Sequence, residues 1–243
     1  EMLRSLVGSE MCIRDSSRTN AGLDNVSTYC KMFTFNVGDR AFVILTSGNL
    51  ATSQAVYHRI EKDLTSSETI RTLNTCEDLD DVASYIGELN VEYQSISNEN
   101  PSQNSVSLGS HFIVGGQIKG QDPNLMLVYP EGNHIHMSDD QPYLQIGETK
   151  YGKPILVRGY DYEMGFSDAV KLMLLSFDST VKANLSVGFP LDLHIYKADS
   201  FKEGRIKRIE SDNKYYSKIS NGWSKALKSA FDSMPNFPID DDK

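Results

Sequence analysis

The sequence predicts an α+β protein in which two sheets pack face to face between helical layers, a four-layer αββα sandwich. Two observations predict this class. Predicted strands come in blocks and predicted helices come in pairs or singly between them, unlike the alternating order of βαβ units. The chain has 243 residues, of which 39% are hydrophobic, and this suits one domain of that size. The pattern alone leaves other α+β folds open.

Hydrophobic patterning places the individual elements. The run Ala41–Thr46 is continuously apolar up to its last residue, as expected for a strand covered on both faces. Asn49 is a candidate N-cap for the helix that follows it. The predicted elements are strands at 41–46, 111–114, 115–119, 124–129, 133–137, 143–146, 190–196 and 204–209, helices at about 49–64, 77–95, 167–181 and 216–234, and a polar surface loop at 97–107.

Composition excludes several classes of function. The net charge is −9, so electrostatics do not favour nucleic acid as a partner. No segment has the length and apolarity of a membrane span, and we expect no membrane partner. The three cysteines have neither metal-binding nor redox spacing, and their odd number disfavours a disulfide scaffold. A reducing, cytoplasmic location is therefore expected.

Residues 1–16 differ from the rest of the chain. They do not begin with methionine, and Leu3–Val7 is too short an apolar run for a secretory signal. The run Gly8–Ser16 does not alternate as a central strand does. We therefore predict a non-native leader at 1–16, which is left out of the fold prediction, one domain at 17–236, and an acidic tail at 237–243.

Several long motifs follow one another in a characteristic order. They are Ser17–Met32, Ala41–Ala51, Phe112–Gly120, Leu144–Pro154 and Ser176–Thr180. Together they resemble the proteasome-type β-subunits of the bacterial Anbu (ancestral β-subunit) family, which belong to the N-terminal-nucleophile (Ntn) hydrolases. The resemblance implies the αββα sandwich and a threonine- or serine-type peptidase. It also implies assembly of identical subunits into a ring or an open helical array, a peptide or unfolded protein as substrate, and neither cofactor nor metal.

The chemistry of that class explains which residue types matter. A hydroxyl at the start of the chain is activated by the free α-amino group, whose pKa lies near 8. A nearby lysine ammonium helps this amine stay neutral. Backbone N–H groups beside a glycine stabilise the oxyanion of the intermediate.

The resemblance assigns catalytic roles to three residues of this chain. Lys31 matches the active-site lysine and follows a strand expected within 17–29. Gly48 matches the glycine of the oxyanion hole. Ser186 is a candidate for a supporting serine near the terminal amine, and the loop at Glu148 and Thr149 lies where proteasome subunits carry another.

The resemblance also assigns substrate-binding roles. Asn20 and Ala21 would border the cleft and pair with an extended peptide as an added strand. Thr46 and Leu50 would line the pocket for the residue before the scissile bond.

Two departures from the family pattern lead us to expect an inactive chain as written. The opening strand with its nucleophile has no recognisable counterpart. The family's aspartate falls on Ser16, and Asp15 is one residue out of register, which should turn its side chain to the opposite face.

Other interpretations stay open. A non-catalytic structural subunit and a small-molecule amidohydrolase on the same fold are alternatives to the peptidase. His134 and His136 share a strand face, but no third metal ligand stands at a suitable spacing, so an exposed hairpin face is the favoured interpretation. Cys30 is interpreted as an interior strand cysteine.

Overall fold

The structure is a computed structural model of the whole chain. It describes 2–7, 10–16, 18–20, 26–98, 107–138, 140, 142–161 and 163–237. Ala21, most of the loop predicted at 97–107 and the end of the acidic tail lie outside the described residues.

Twelve strands and five helices make up the described part of the chain. The strands are β1 (Met2–Val7), β2 (Glu10–Ser16), β3 (Arg18–Asn20), β4 (Val26–Thr28), β5 (Met32–Val37), β6 (Arg40–Gly48), β7 (Ser110–Ile118), β8 (Asn124–Val128), β9 (His134–His136), β10 (Tyr143–Ile146), β11 (Leu191–Lys197) and β12 (Arg205–Ile209). The helices are α1 (Leu50–Thr65), α2 (Leu79–Asn98), α3 (Lys153–Gly159), α4 (Phe166–Ala183) and α5 (Lys214–Asp232).

The strands form two large antiparallel sheets and one small one. The first has the order β10-β1-β2-β11-β12, the second has the order β5-β6-β7-β8-β9, and the small sheet pairs β3 with β4. One face of the second sheet packs on α1 and α2, through residues such as Phe42 and Ile44. Its other face, with Val43 and Leu45, meets the first sheet.

The first sheet is covered on its outer face by the remaining helices. Leu193 packs with residues of α3 and α4, and Leu191 packs with residues of α4 and α5. Helix, sheet, sheet and helix therefore follow in four layers, which confirms the predicted αββα sandwich. Among the described residues, no helix is both long and apolar enough to cross a membrane.

Met2–Val7 and Glu10–Ser16 form two neighbouring strands of the first sheet. β2 lies between β1 and β11, where Met11 and Ile13 are 1% and 0% exposed between the sheets. The alternation was missed because Asp15 occupies the third inward position of the strand, where an apolar residue was expected. The non-native origin of the segment stays a prediction.

Several further elements differ from the sequence-based expectations, among them β5, which was not predicted. The stretch 17–29 contains two short strands, β3 and β4, paired with each other in antiparallel register. The two strands predicted at 111–119 are one continuous strand, β7. α3 was not predicted, because it is one short helix of seven residues that begins with Lys153-Pro154.

Candidate active site

Lys31 and Gly48 lie at the same end of the second sheet. Lys31 directly precedes β5, and the backbone N–H of Thr46 donates to its carbonyl oxygen at 3.0 Å. Gly48 ends β6 two residues further on, roughly 7 Å along the strand. The two residues assigned by resemblance are thus brought together by the β5–β6 pairing.

Asp15 of the first sheet faces this end of the second sheet. It lies on the same face of β2 as Met11 and Ile13, is 1% exposed, and interacts electrostatically with Lys31. The expectation that its side chain points away from the site was wrong. Ser16 takes the other face instead, and its hydroxyl donates to the carbonyl oxygen of Gly188 at 2.6 Å.

Burial shifts the ionisation of both charged groups. It raises the pKa of Asp15 from 3.8 to about 7, and the opposing effect of the Lys31 charge is smaller. Burial lowers the pKa of Lys31, against the opposing effect of Asp15. Each group is therefore closer to giving up its charge near neutral pH than it would be in water.

The start of β1 lies at the Asp15 end of β2. The two strands are antiparallel, with Leu3 paired to Arg14, so continuing that register by one residue puts Met2 opposite Asp15. A strand therefore exists where we expected no counterpart of the family's opening strand. Its first residues approach the buried carboxylate.

Asp192 and Arg208 extend the charged cluster on the first sheet. Asp192 of β11 is paired in register with Asp15 of β2. Asp192 is buried, with 7% of its surface exposed. Arg208 of β12 donates two hydrogen bonds to its carboxylate, each of 2.8 Å. This bidentate pair compensates the second carboxylate beside Asp15.

Neither Asp192 nor Arg208 was singled out from the sequence. Asp192 could have been recognised from the alternation of inward and outward side chains along β11. Asp192 shares its face with His194 and Tyr196, whereas the apolar Leu191 and Leu193 occupy the opposite face.

Cys30 is exposed and precedes β5, so its interpretation as an interior strand cysteine was wrong. Its thiol donates to the carbonyl oxygen of Met32 at 3.0 Å. Partial burial raises the pKa of this thiol, and Asp15 and Asp192 add to that effect. Cys30 is therefore a weak competing nucleophile.

Gly48 occupies a position that only glycine fits. Its φ is +114°, in the region that L side chains avoid. An added Cβ would lie 2.6 Å from the carbonyl oxygen of Gly109. The same carbonyl accepts a hydrogen bond of 3.2 Å from the N–H of Asn49, so the strand end and the neighbouring chain are in close backbone contact.

A network of buried hydroxyls holds the turn after Gly48. The side chains of Ser53 and Ser110 both donate to the carbonyl oxygen of Asn49, each at 2.8 Å. Thr46 is 2% exposed, and its hydroxyl lies 2.5 Å from that of Ser53. The network ties β6, β7 and the start of α1 together at the glycine.

The structure locates the other assigned residues without testing their roles. Asn20 ends β3, Leu50 is the partly exposed first residue of α1, and Ala21 is outside the described residues. Thr46 is buried against α1. The substrate-binding roles of these four residues stay predictions.

Ser186 belongs to a network that links two loops. Its N–H and its hydroxyl both donate to the Asn184 side-chain oxygen, at 2.8 and 2.7 Å. The Asn184 amide donates in turn to the Glu148 carboxylate at 2.9 Å. The loop at Glu148 and the loop at Ser186 are thus in contact, and the supporting role of Ser186 stays a prediction.

The Asp15→Asn substitution should stabilise the protein more at high pH than at low pH. Asp15 has a higher pKa in the folded state than in the unfolded chain, so wild-type stability falls as pH rises from about 4 to about 7. The full loss is up to about 4 kcal/mol, which the neutral asparagine avoids. Urea unfolding of both proteins at pH 5 and pH 8 measures the difference. An equal difference at the two pH values would contradict the raised pKa.

Two antiparallel sheets between helical layers, with the buried Asp15 and the half-buried Lys31 at the strand ends, define a proteasome-like α+β sandwich. No protein-family model matches the chain, and no curated protein matches it. Solved structures do. Anbu from Hyphomicrobium sp. strain MC1 is 42% identical, with 98% of this chain and 99% of that chain covered and a TM-score of 0.88.

Two further solved structures are similar over the same length. Anbu from Yersinia bercovieri is 36% identical, covers 98% of this chain and 99% of its own, and has a TM-score of 0.87. The Anbu complex from Pseudomonas aeruginosa, described as a helical assembly, is 36% identical, with 98% of each chain covered and a TM-score of 0.91. The chain belongs to the Anbu, or ancestral β-subunit, family.

Proposed function

We propose that the protein is a subunit of the class of proteasome-like peptidases that use a terminal hydroxyl as nucleophile, and that the chain as written, in which Glu1 has no hydroxyl, is inactive. One observation carries the proposal. The start of β1, the buried Asp15 and the half-buried Lys31 meet at one end of the two sheets. This is where a terminal amine and hydroxyl would need a cationic neighbour.

Each group has a defined task in the proposed reaction. The lowered pKa of Lys31 reflects a partly desolvated ammonium, which disfavours a second positive charge on a neighbouring terminal amine. The amine then stays neutral and accepts the proton of the attacking hydroxyl. Asp15 holds the lysine by charge attraction, and Gly48 supplies its backbone N–H toward the oxyanion.

The subunits are proposed to assemble with identical copies. The helical assembly of the related Pseudomonas aeruginosa complex supports this proposal. The proposed substrate is a peptide or an unfolded protein segment, which would extend along the cleft beside β3. The proposed location is the cytoplasm, where the exposed Cys30 thiol stays reduced.

A chain with threonine at position 1 tests the peptidase proposal. The variant Glu1→Thr is expressed behind an initiator methionine whose removal leaves threonine as the first residue. We expect this form to hydrolyse fluorogenic peptides, because the hydroxyl and amine needed are then on one terminal residue. The measurement is the turnover rate of a peptide panel, with the terminus verified by mass spectrometry.

The matched control is Glu1→Ala, which has the amine without the hydroxyl and should be inactive. A folded Glu1→Thr protein with the verified threonine terminus and no activity above Glu1→Ala would contradict the proposal. It would favour the non-catalytic structural subunit. Hydrolysis of small acyl amides without hydrolysis of peptides would favour the amidohydrolase.

A further inference from the structure

A second cluster of side chains lies on α2 and β9, in the described part of the chain outside the candidate active site. His134 and His136 are two residues apart on β9 and therefore face the same side. Both rings approach Asp80 in the first turn of α2. The Nε2 atoms of His134 and His136 lie 2.9 and 2.8 Å from the same Asp80 oxygen.

The histidine pair lies on an exposed hairpin face, as expected, and the fold adds a third group to it. The sequence offered no third ligand at a suitable spacing. In the fold, Asp80 of α2 is the third group, although it lies 54 residues before His134 in the chain. Two imidazoles and one carboxylate are a ligand set that proteins use for zinc with an open position. Because the three candidate ligands lie on two separate elements, no short sequence motif contains all of them.

The separations of the three groups fit a metal ion. One ligand atom from each residue lies within 4.8 Å of the other two. A tetrahedral zinc ion at about 2.0–2.1 Å from its ligands holds them roughly 3.3 Å apart. The two histidine–aspartate distances therefore need to open by only about half an ångström, which side-chain rotation provides.

The two elements that carry the ligands are already fixed against each other. A Cβ added to Gly87 of α2 would overlap the carbonyl oxygen of Gly132 in the turn before β9. Gln94 donates to the carbonyl oxygen of Pro130 at 2.6 Å. Gly87 lies seven residues after Asp80, on the same face of α2. This close backbone packing therefore fixes the positions of α2 and β9, which carry the candidate ligands.

The local charge favours a cation. Glu77, Asp78 and Asp81 line the same surface hollow as Asp80. Arg71, the cation in that hollow, is engaged in ion pairs with Asp81 and Glu88.

We propose that Asp80, His134 and His136 bind one divalent ion of the zinc type and so clamp the β8–β9 hairpin to α2. Two ring nitrogens and one carboxylate oxygen suit zinc better than magnesium or calcium, which take oxygen ligands. The ion replaces the two hydrogen bonds to Asp80, and water completes its coordination. The site is independent of the proposed peptidase activity.

Zinc titration of the untagged, chelator-treated protein tests the site. We expect one zinc ion per chain by calorimetry and a rise in melting temperature on zinc addition. Loss of an outer-sphere partner typically weakens metal affinity about 10–100-fold, so losing a direct ligand in His136→Gln should weaken it at least as much. Asp80→Asn and His134→Gln should behave in the same way.

The matched control is His58→Gln on α1. His58 is exposed and contacts Glu61 of its own helix, so its loss should leave zinc affinity unchanged. Circular dichroism verifies that each variant is folded. Zinc binding of wild-type affinity in folded His136→Gln and Asp80→Asn would overturn the proposal, as would a wild-type protein that binds no zinc.

Discussion

Replacing Lys31 by alanine in the Glu1→Thr form is expected to lower peptide hydrolysis by about 10²–10⁴-fold, the usual contribution of a group that controls proton transfer. Lys31 is a cation that interacts with Asp15, and its removal leaves the terminal amine with a higher pKa. The amine would then be protonated near neutral pH and unable to accept the hydroxyl proton. The measurement is kcat/KM for the best peptide of the panel.

Two further observations separate this role from a structural one. Because the residual activity depends on a neutral amine, the rate of Lys31→Ala should recover partly as pH rises above about 8. The matched control is Lys119→Ala, which removes an exposed lysine at the far end of β7 and should keep full activity. An unchanged kcat/KM in Lys31→Ala would contradict the mechanism.

Replacing Gly48 by alanine is expected to lower kcat by about 10²–10³-fold, the typical cost of one lost oxyanion-hole donor. The added Cβ would lie 2.6 Å from the Gly109 carbonyl, so the turn must move and carry its N–H groups with it. The strained φ adds a cost of about 1–3 kcal/mol in folding free energy. Steady-state kinetics and urea unfolding measure the two effects.

Gly120→Ala is the matched control for backbone strain. Gly120 also has a positive φ, +87°, but nothing lies within 4 Å of an added Cβ. It should lose some stability and keep its activity. If the two variants lose stability and activity to the same extent, backbone strain alone explains the effect and Gly48 has no special role.

The layered fold was predictable because its main elements have unambiguous local patterns. Sequence periodicity is sufficient to recognise the apolar run of β6 and the amphipathic helices α1, α2 and α4. In the structure these elements end within a few residues of the predicted positions. β2 was missed because Asp15 interrupts its inward apolar face. An acidic residue at an inward position of a strand can have a functional role, but it breaks the alternation of apolar residues from which strands are predicted.

The candidate site was predictable only in part, for a physical reason. Lys31 and Gly48 were assigned through motifs, and their proximity follows from one antiparallel pairing. The Asp15–Asp192 pairing and the Asp192–Arg208 ion pair depend on how distant strands order themselves in the first sheet. No local pattern records that order, and the same is true of Asp80 beside the two histidines of β9.

The most direct measurement of the central claim is the mass of the Glu1→Thr protein after reaction with a peptide that carries an electrophilic end group. We expect one covalent adduct, mapped by fragmentation to the terminal threonine and lost when Lys31 is replaced by alanine. Absence of an adduct, or its attachment to the exposed Cys30 instead, would contradict the account.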